Sequence, residues 1–181
     1  MFEPFPILYT SRLTLVAIGQ QHLGDILQLF GNDEVTKYYN IITLTRIDEA
    51  QKIVDHFKNK LSAGLGIRWG ICLNGSEQVI GTIGFNNFTK NHRANIGYDL
   101  LSEYWGKGIM SEALEAIIDY GFNILEVNRI EAEVMNGNIA SEKLLVKMGF
   151  TNEGVLRQWM YWNERYHDMT MFSLLKRDFC M

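Results

Sequence analysis

The segment that most narrows what this chain can become is a strand, a two-glycine bend and a helix in direct succession. Residues 94–101 read as a strand, Ser102-Glu103-Tyr104-Trp105-Gly106-Lys107-Gly108-Ile109-Met110-Ser111 follows, and Met110, Leu114, Ile117, Ile118, Gly121 and Leu125 then share one helical face. Glycines lack Cβ and let the backbone coil tightly, and the amides of such a coil at a helix N-terminus converge where the helix dipole is positive. The bend reads equally as a phosphate site or as a tight connection, and its spacing alone leaves both open. No Gly-x-x-x-x-Gly-Lys-Ser/Thr occurs, nor a Gly-x-Gly-x-x-Gly after a strand, which disfavours ATP and NAD.

Around this segment the hydrophobic period switches between two and about 3.6. Leu13 and Leu15 read as a strand, and Leu23, Ile26, Leu27 and Phe30 as a helix. Residues 46–63 read as a longer helix carrying Ile47, Ala50, Val54, Phe57 and Leu61, with Thr45 and Asp48 as a capping box and Gly64 as its stop. Ile67, Trp69, Ile71 and Leu73 alternate with Arg68, Gly70 and Cys72, Asn74-Gly75 supplies a turn, and residues 79–85 return as the second half of a β-hairpin. Further on, Ile130, Ala132 and Val134 alternate with Arg129, Glu131 and Glu133, residues 139–148 form a short helix closed by Gly149, and residues 150–175 read as two strands joined by a loop at 162–166. No repeat or linker-like stretch interrupts the order, so the expectation is one α/β domain over residues 1–181.

A chain of 181 residues buries a sizeable core without disulfides, and no apolar run approaches the roughly 18 residues of a membrane span. Residues 1–9 carry no basic residue before an apolar stretch, so no secretory signal is read there and the expected location is the cytoplasm. Cys72 and Cys180 have no metal-ligand spacing and read as buried thiols. The net charge of −4 argues against general affinity for nucleic acid. Of the histidines, His56 reads as a solvated or packed helix residue, and His167 cannot act jointly with Asp168 because strand neighbours point to opposite faces. Tyr38, Tyr39, Trp159, Tyr161, Trp162 and Tyr166 could line a substrate mouth or a subunit contact, or fill a core.

Three ordered motifs, Ile96-Gly97-Tyr98-Asp99-Leu100, Tyr104-Trp105-Gly106-Lys107-Gly108-Ile109-Met110-Ser111-Glu112-Ala113-Leu114 and Asn138-Ile139-Ala140-Ser141-Glu142-Lys143-Leu144-Leu145-Val146-Lys147-Met148-Gly149-Phe150, resemble the GNAT N-acetyltransferases. The opening Thr10-Ser11-Arg12-Leu13-Thr14-Leu15 and the closing Tyr166-His167-Asp168 look like the branch containing ribosomal-protein N-terminal acetyltransferases. The resemblance implies a mixed, mostly antiparallel twisted sheet of about six to seven strands flanked by helices, with a splayed strand pair holding acetyl-CoA. The splay is expected between residues 94–101 and 129–134, where a pantetheine arm could pair with free strand amides as a peptide would. Carried over residue by residue, Leu100 and Leu101 face that arm, and Trp105, Gly106, Lys107, Gly108, Ile109, Met110 and Ser111 surround the phosphates. By the same resemblance Asn138 holds the pantetheine, which is compatible with capping the helix after it, and Ser141 relays a proton to the sulfur.

The sequence departs from the family pattern at three places. Trp105 stands where Gln or Arg is common in the superfamily, although the ribosomal-protein branch resembles Trp-Gly-Lys-Gly, and Met110 stands where Gly or Ala is common; the larger Met110 side chain carries an expectation of weaker cofactor binding. Met160 stands where some relatives place a catalytic acid. An α-amine has a pKa of about 7.7–8.0 against about 10.4 for lysine, so a site without a dedicated base suits a protein or peptide N-terminus, unless Glu103, Glu164, His167 or a water chain serves. The resemblance therefore implies acetyl transfer from acetyl-CoA to such an α-amine and a homodimer, while residue spacing, hydropathy and charge carry the expectation of no metal and no membrane or nucleic-acid partner. A small amine such as a polyamine or aminoglycoside, or a non-catalytic acyl-CoA-binding module, are the competing readings.

Overall fold

In the computed structural model, which describes residues 4–179, the alternating segments form eight strands of one sheet: β1 (Leu8–Tyr9), β2 (Leu13–Ala17), β3 (Ile67–Leu73), β4 (Gly81–Thr89), β5 (Arg93–Leu100), β6 (Arg129–Met135), β7 (Thr151–Trp162) and β8 (Arg165–Leu175). The helices are α1 (Leu23–Phe30), α2 (Asp33–Thr36), α3 (Ile47–Ser62), α4 (Ile109–Asp119) and α5 (Ile139–Lys147). The strand order is β1-β2-β3-β4-β5-β6-β8-β7, with neighbours antiparallel except for the parallel pair β5·β6. The sheet thus exceeds the expected count, because the two residues of β1 pair with β2 but are too few to show a period.

β3 is buried at every position but its last, although it alternates in sequence. The α1–α3 layer covers its second face, and the Arg68 guanidinium sits over the Phe57 ring at 5.6 Å. Along α3, Ala50 and Val54 are buried, whereas Ile47, expected on the apolar face, is 49% exposed at the first turn. The cap also differs from expectation. Glu49, not Asp48, takes the Thr45 and Arg46 amides at 2.9 and 3.1 Å, while Asp48 pairs with the Arg46 side chain. Glu49 wins because a carboxylate three residues into the helix reaches back to the cap amides.

The second hairpin strand starts at Gly81, two residues later than the pattern predicts, because Val79 and Ile80 belong to the connection from Asn74-Gly75. After Asp119, α4 widens into a π-turn over Tyr120–Ile124, and a Cβ on Gly121 would meet Phe85 Cζ at 2.7 Å, so glycine is what lets the ring seat there. The β7–β8 loop is tighter than predicted: Asn163 and Glu164 alone turn the chain, both at positive φ, with Trp162 opposite Arg165. Cys72 is a buried free thiol, and Cys180 lies outside the described residues.

Candidate functional site: a cleft through the sheet

β5 and β6 pair only at Arg93↔Arg129, Ala94↔Ile130 and Asn95↔Glu131, and then part. On its other edge β5 stays paired with β4, Leu100 lying opposite Gly81, and the Leu101 amide donates to Ile80 O at 2.9 Å. Antiparallel residues alternate between bonding to the partner and turning away, so the Leu101 amide is engaged while the Tyr98 and Leu100 amides face the gap. Of the two leucines singled out in the sequence, Leu100 lines the cleft; Leu101 is buried in the core and does not.

The bend follows directly. Gly106 and Gly108 adopt left-handed backbone at φ +70° and +75°, and Gly108 is the N-cap of α4 without offering a side chain. Among the described residues, no amide from Gly106 to Ser111 has a protein acceptor. Six N–H groups thus stand at the positive end of a helix, the arrangement that receives phosphate. Trp105 folds back and donates its indole N–H to Leu100 O at 2.7 Å, which ties the bend to β5. Trp105, Gly106, Gly108, Ile109, Met110 and Ser111 line the cleft, whereas Lys107 does not: its ammonium lies over the Tyr104 ring at 5.6 Å. Met110 is buried in the core while still bordering the cleft.

A clamp from the N-terminal segment holds this bend in place. Glu112, in the first turn of α4, accepts hydrogen bonds from Thr10 Oγ1 at 2.6 Å, Ser11 Oγ at 2.9 Å and the Arg12 amide at 2.8 Å, and pairs with Arg12 Nε at 2.6 Å. Arg12 in turn donates to Lys107 O at 3.0 Å. Against the upward push of burial, the Thr10 hydroxyl, the Arg12 amide and guanidinium and the Ser11 hydroxyl bring the Glu112 carboxyl from 4.5 down to about 2. A depressed value stabilises the fold above the unfolded-state pKa, and the contribution disappears as pH falls through the folded one. Glu112→Gln is therefore expected to remove part of the stability lost between pH 4.5 and about 2, giving a flatter acid-unfolding curve than wild type in that window by circular dichroism.

Asn138 caps α5, its Oδ1 accepting the Ser141 amide at 3.2 Å, and both residues line the cleft. Ser141 Oγ is hydrogen-bonded to Tyr98 OH at 2.6 Å, across the splay from α5 to β5. Burial, with the nearby Asp99 charge, pushes the Tyr98 phenol up to about 12 despite the Ser141 bond. Lys143 and Lys147, one turn apart on α5, border the same cleft and add positive charge that the sequence reading did not single out.

Along β5, side chains alternate between faces, so Tyr98 and Leu100 look to one side and Asn95 and Asp99 to the other. Both sets line the cleft, which has a volume of about 900 Å³ and runs through the sheet at the splay. On the Asp99 side, Arg68 makes a buried ion pair with Asp99, donates from Nε to Thr82 Oγ1 at 3.0 Å and from Nη1 to Asn86 Oδ1 at 3.3 Å. Burial raises the Asp99 carboxyl against the pull of Arg68, and burial together with the Asp99 charge pushes the Tyr39 phenol up to about 12. Tyr38, Tyr39, Asn40, Asn86, Asn87, Asn95 and Glu133 border this half, with Met160 and Trp162 from β7.

None of Glu103, Glu164 and His167 lines the cleft. His167 is buried with its ring stacked on Trp162 at 3.5 Å, and Asp168 instead accepts the Gln158 amide at 2.7 Å. The carboxylates that do reach the cleft are Glu34, Asp99 and Glu133. Glu133 was visible in the sequence only as the polar half of an alternating strand. His56 is exposed at the cleft border, and Trp159, Tyr161 and Tyr166 are exposed on the β7–β8 hairpin, outside it. Among the described residues no group of three His, Cys, Asp or Glu side chains could hold a metal ion, and no helix is long and apolar enough to cross a membrane.

The donor set fits coenzyme A: unpaired strand amides for an amide-bearing arm, a fan of helix N-terminal amides for a diphosphate, and a cleft reaching both sheet faces. Residues 12–151 match the family model described as an acetyltransferase (GNAT) domain. The chain is 43% identical over 173 residues to YoaA of Bacillus subtilis (strain 168), an uncharacterized N-acetyltransferase, covering 95% of this chain and 98% of that protein. It is 29% identical over 117 residues to the [ribosomal protein uS5]-alanine N-acetyltransferase of Escherichia coli (strain K12), covering 64% of this chain and 60% of that protein. Among solved structures, RimL, a ribosomal L7/L12 alpha-N-protein acetyltransferase in complex with coenzyme A, superposes with a TM-score of 0.82 at 25% identity, covering 94% of this chain and 98% of RimL. The chain belongs to the GNAT acetyltransferase family.

Proposed function

We propose that this protein transfers the acetyl group of acetyl-CoA to the α-amine of a peptide or protein N-terminus. The observation that carries the reading is the cleft that passes through the sheet, with free amides and Ser141 on one face and a polar, asparagine-rich half on the other. Acetyl-CoA, once bound, supplies an activated thioester; the chain's task is to hold and align it. The amides of Gly106 to Ser111 hold the diphosphate, Lys143 and Lys147 add attraction for phosphate, and the Leu100 amide orients the thioester carbonyl and steadies the charge that develops on its oxygen. Asn138 holds the arm near α5, and Ser141 offers its hydroxyl to the sulfur.

The other half of the cleft suits a peptide terminus. Asn40, Asn86, Asn87 and Asn95 offer amide groups that pair with peptide backbone, and Glu133, 3.5 Å from Asn95 Nδ2, offers a carboxylate for the incoming ammonium. An α-ammonium with a pKa of about 7.7–8.0 gives up its proton near neutrality to Glu133 or to water, which a lysine at about 10.4 does far less readily. Similarity to an enzyme named as a ribosomal protein uS5-alanine N-acetyltransferase and to one named as a ribosomal L7/L12 alpha-N-protein acetyltransferase supports the same acceptor class.

Thiol release measured against three matched panels tests the reading: peptides with free N-termini, N-terminally blocked lysine peptides, and polyamines with aminoglycosides. Free N-termini are expected to be turned over at least about tenfold faster than blocked lysine peptides at pH 7, in line with the difference in neutral amine. Turnover confined to lysine or to small amines would overturn the acceptor assignment, and coenzyme A binding with no release from any panel would overturn the enzymatic one.

A further inference from the structure

The Tyr98–Ser141 hydrogen bond spans the splay and joins the two elements that border it, yet the reaction as described uses only the serine. Its length of 2.6 Å is that of a strong O–H···O bond. Both groups line the cleft, and Tyr98 belongs to the stretch of β5 that has parted from β6. No other side-chain partner of Ser141 Oγ competes for the interaction among the described residues. A hydroxyl donates once and accepts twice, so which of the two oxygens donates decides where the remaining hydrogen points.

We propose that Tyr98 is a positioning residue that donates its O–H to Ser141 Oγ and so leaves the serine hydrogen free to point at the departing sulfur, an inference that rests on the reading of Ser141 above. Burial holds the phenol protonated throughout the neutral range, with its value pushed up to about 12, so Tyr98 keeps its proton and is not the source of the transferred one. The step balances without it. As the bond from the acyl carbon to the amine nitrogen forms and the carbon–sulfur bond breaks, the sulfur keeps the electron pair. Ser141 gives it a proton and regains one from water, and the amine releases its proton to water or Glu133. Tyr98 keeps its own proton and constrains the serine rotor.

The test combines Tyr98→Phe, Ser141→Ala and the double variant, each read for kcat, KM for acetyl-CoA and coenzyme A affinity by calorimetry. Tyr98→Phe is expected to lower kcat by about tenfold, the scale of one hydrogen bond, with KM and affinity within about twofold of wild type. The double variant is expected to match Ser141→Ala, because a residue acting through the serine has nothing to act on once it is gone. An unchanged kcat in Tyr98→Phe, or a double variant slower than Ser141→Ala by tenfold, would overturn the positioning role. An unchanged kcat in Ser141→Ala would instead remove the serine from the mechanism, a different failure. Should Tyr98→Phe melt below the assay temperature, 3-fluorotyrosine at that position keeps ring and hydroxyl; kcat within about twofold of wild type then supports positioning, and a tenfold loss overturns it.

Discussion

Gly108→Val is expected to weaken coenzyme A binding by about 100-fold or more, an effect of about 3 kcal/mol. Gly108 sits at φ +75°, and a β-branched residue there costs roughly 1–3 kcal/mol if it stays. A Cβ would meet nothing closer than an Arg12 side-chain nitrogen at 3.5 Å, so crowding is minor and the penalty falls on the backbone. The chain relieves it by opening the bend, which turns the amides of Gly106 to Ser111 apart and forfeits hydrogen bonds to charged oxygens worth about 1.5–3 kcal/mol each. Gly75→Val is the matched control: Gly75 is also left-handed, at φ +83°, but lies in the turn after β3, outside the cleft. Both variants should lose stability in thermal melts, and only Gly108→Val should lose coenzyme A in calorimetry. Equal affinities in the two would refute the bend as the phosphate site.

Arg68→Met should destabilise the fold by about 3–5 kcal/mol, because it leaves the Asp99 carboxylate buried without its cation. The side chains of Arg68 and Asp99 are each 4% exposed, so water cannot replace the lost partner. Thr82 would remain as a hydrogen-bond donor at 3.2 Å, which is far less than a guanidinium. Burial already raises the Asp99 carboxyl, and losing Arg68 raises it further. A group whose folded value lies above its unfolded one adds stability at pH below the unfolded value and loses it as pH rises through the folded one. The deficit of Arg68→Met relative to wild type is therefore expected to shrink as pH is lowered from 7, and Arg68→Met with Asp99→Leu should recover most of the loss. Urea unfolding across pH checks both statements; a deficit below about 1 kcal/mol, or one that grows on acidification, would refute the buried pair as a keystone of that half of the cleft.

Much of the architecture was legible because it is written in local periods. The helix from Ile47 to Ser62, the alternation of β6 and the glycine bend were all readable from the sequence. The resemblance located the splay between the right two strands, and the structure ends their pairing at Asn95↔Glu131. It could not choose between neighbours: Leu100 and Leu101 look alike in sequence, but the ladder with β4 engages the Leu101 amide and turns Leu100 toward the gap. Nor could it foresee that Lys107 would lie over the Tyr104 ring and away from the cleft.

The pairings that give the cleft its chemistry join residues far apart in the chain. Arg68 and Asp99 are 31 positions apart, Tyr98 and Ser141 are 43, and Thr10 and Glu112 are 102. By itself the sequence determined where most of the helices and strands lie, where the two-glycine bend falls, and the family to which such an order of motifs points, because backbone sterics and side-chain period act over a few residues. Only the tertiary structure decided that Glu34, Asp99 and Glu133 reach the cleft while Glu103, Glu164 and His167 do not. Strand order and register govern which distant side chains share a face, and those follow from how the whole sheet is assembled and covered.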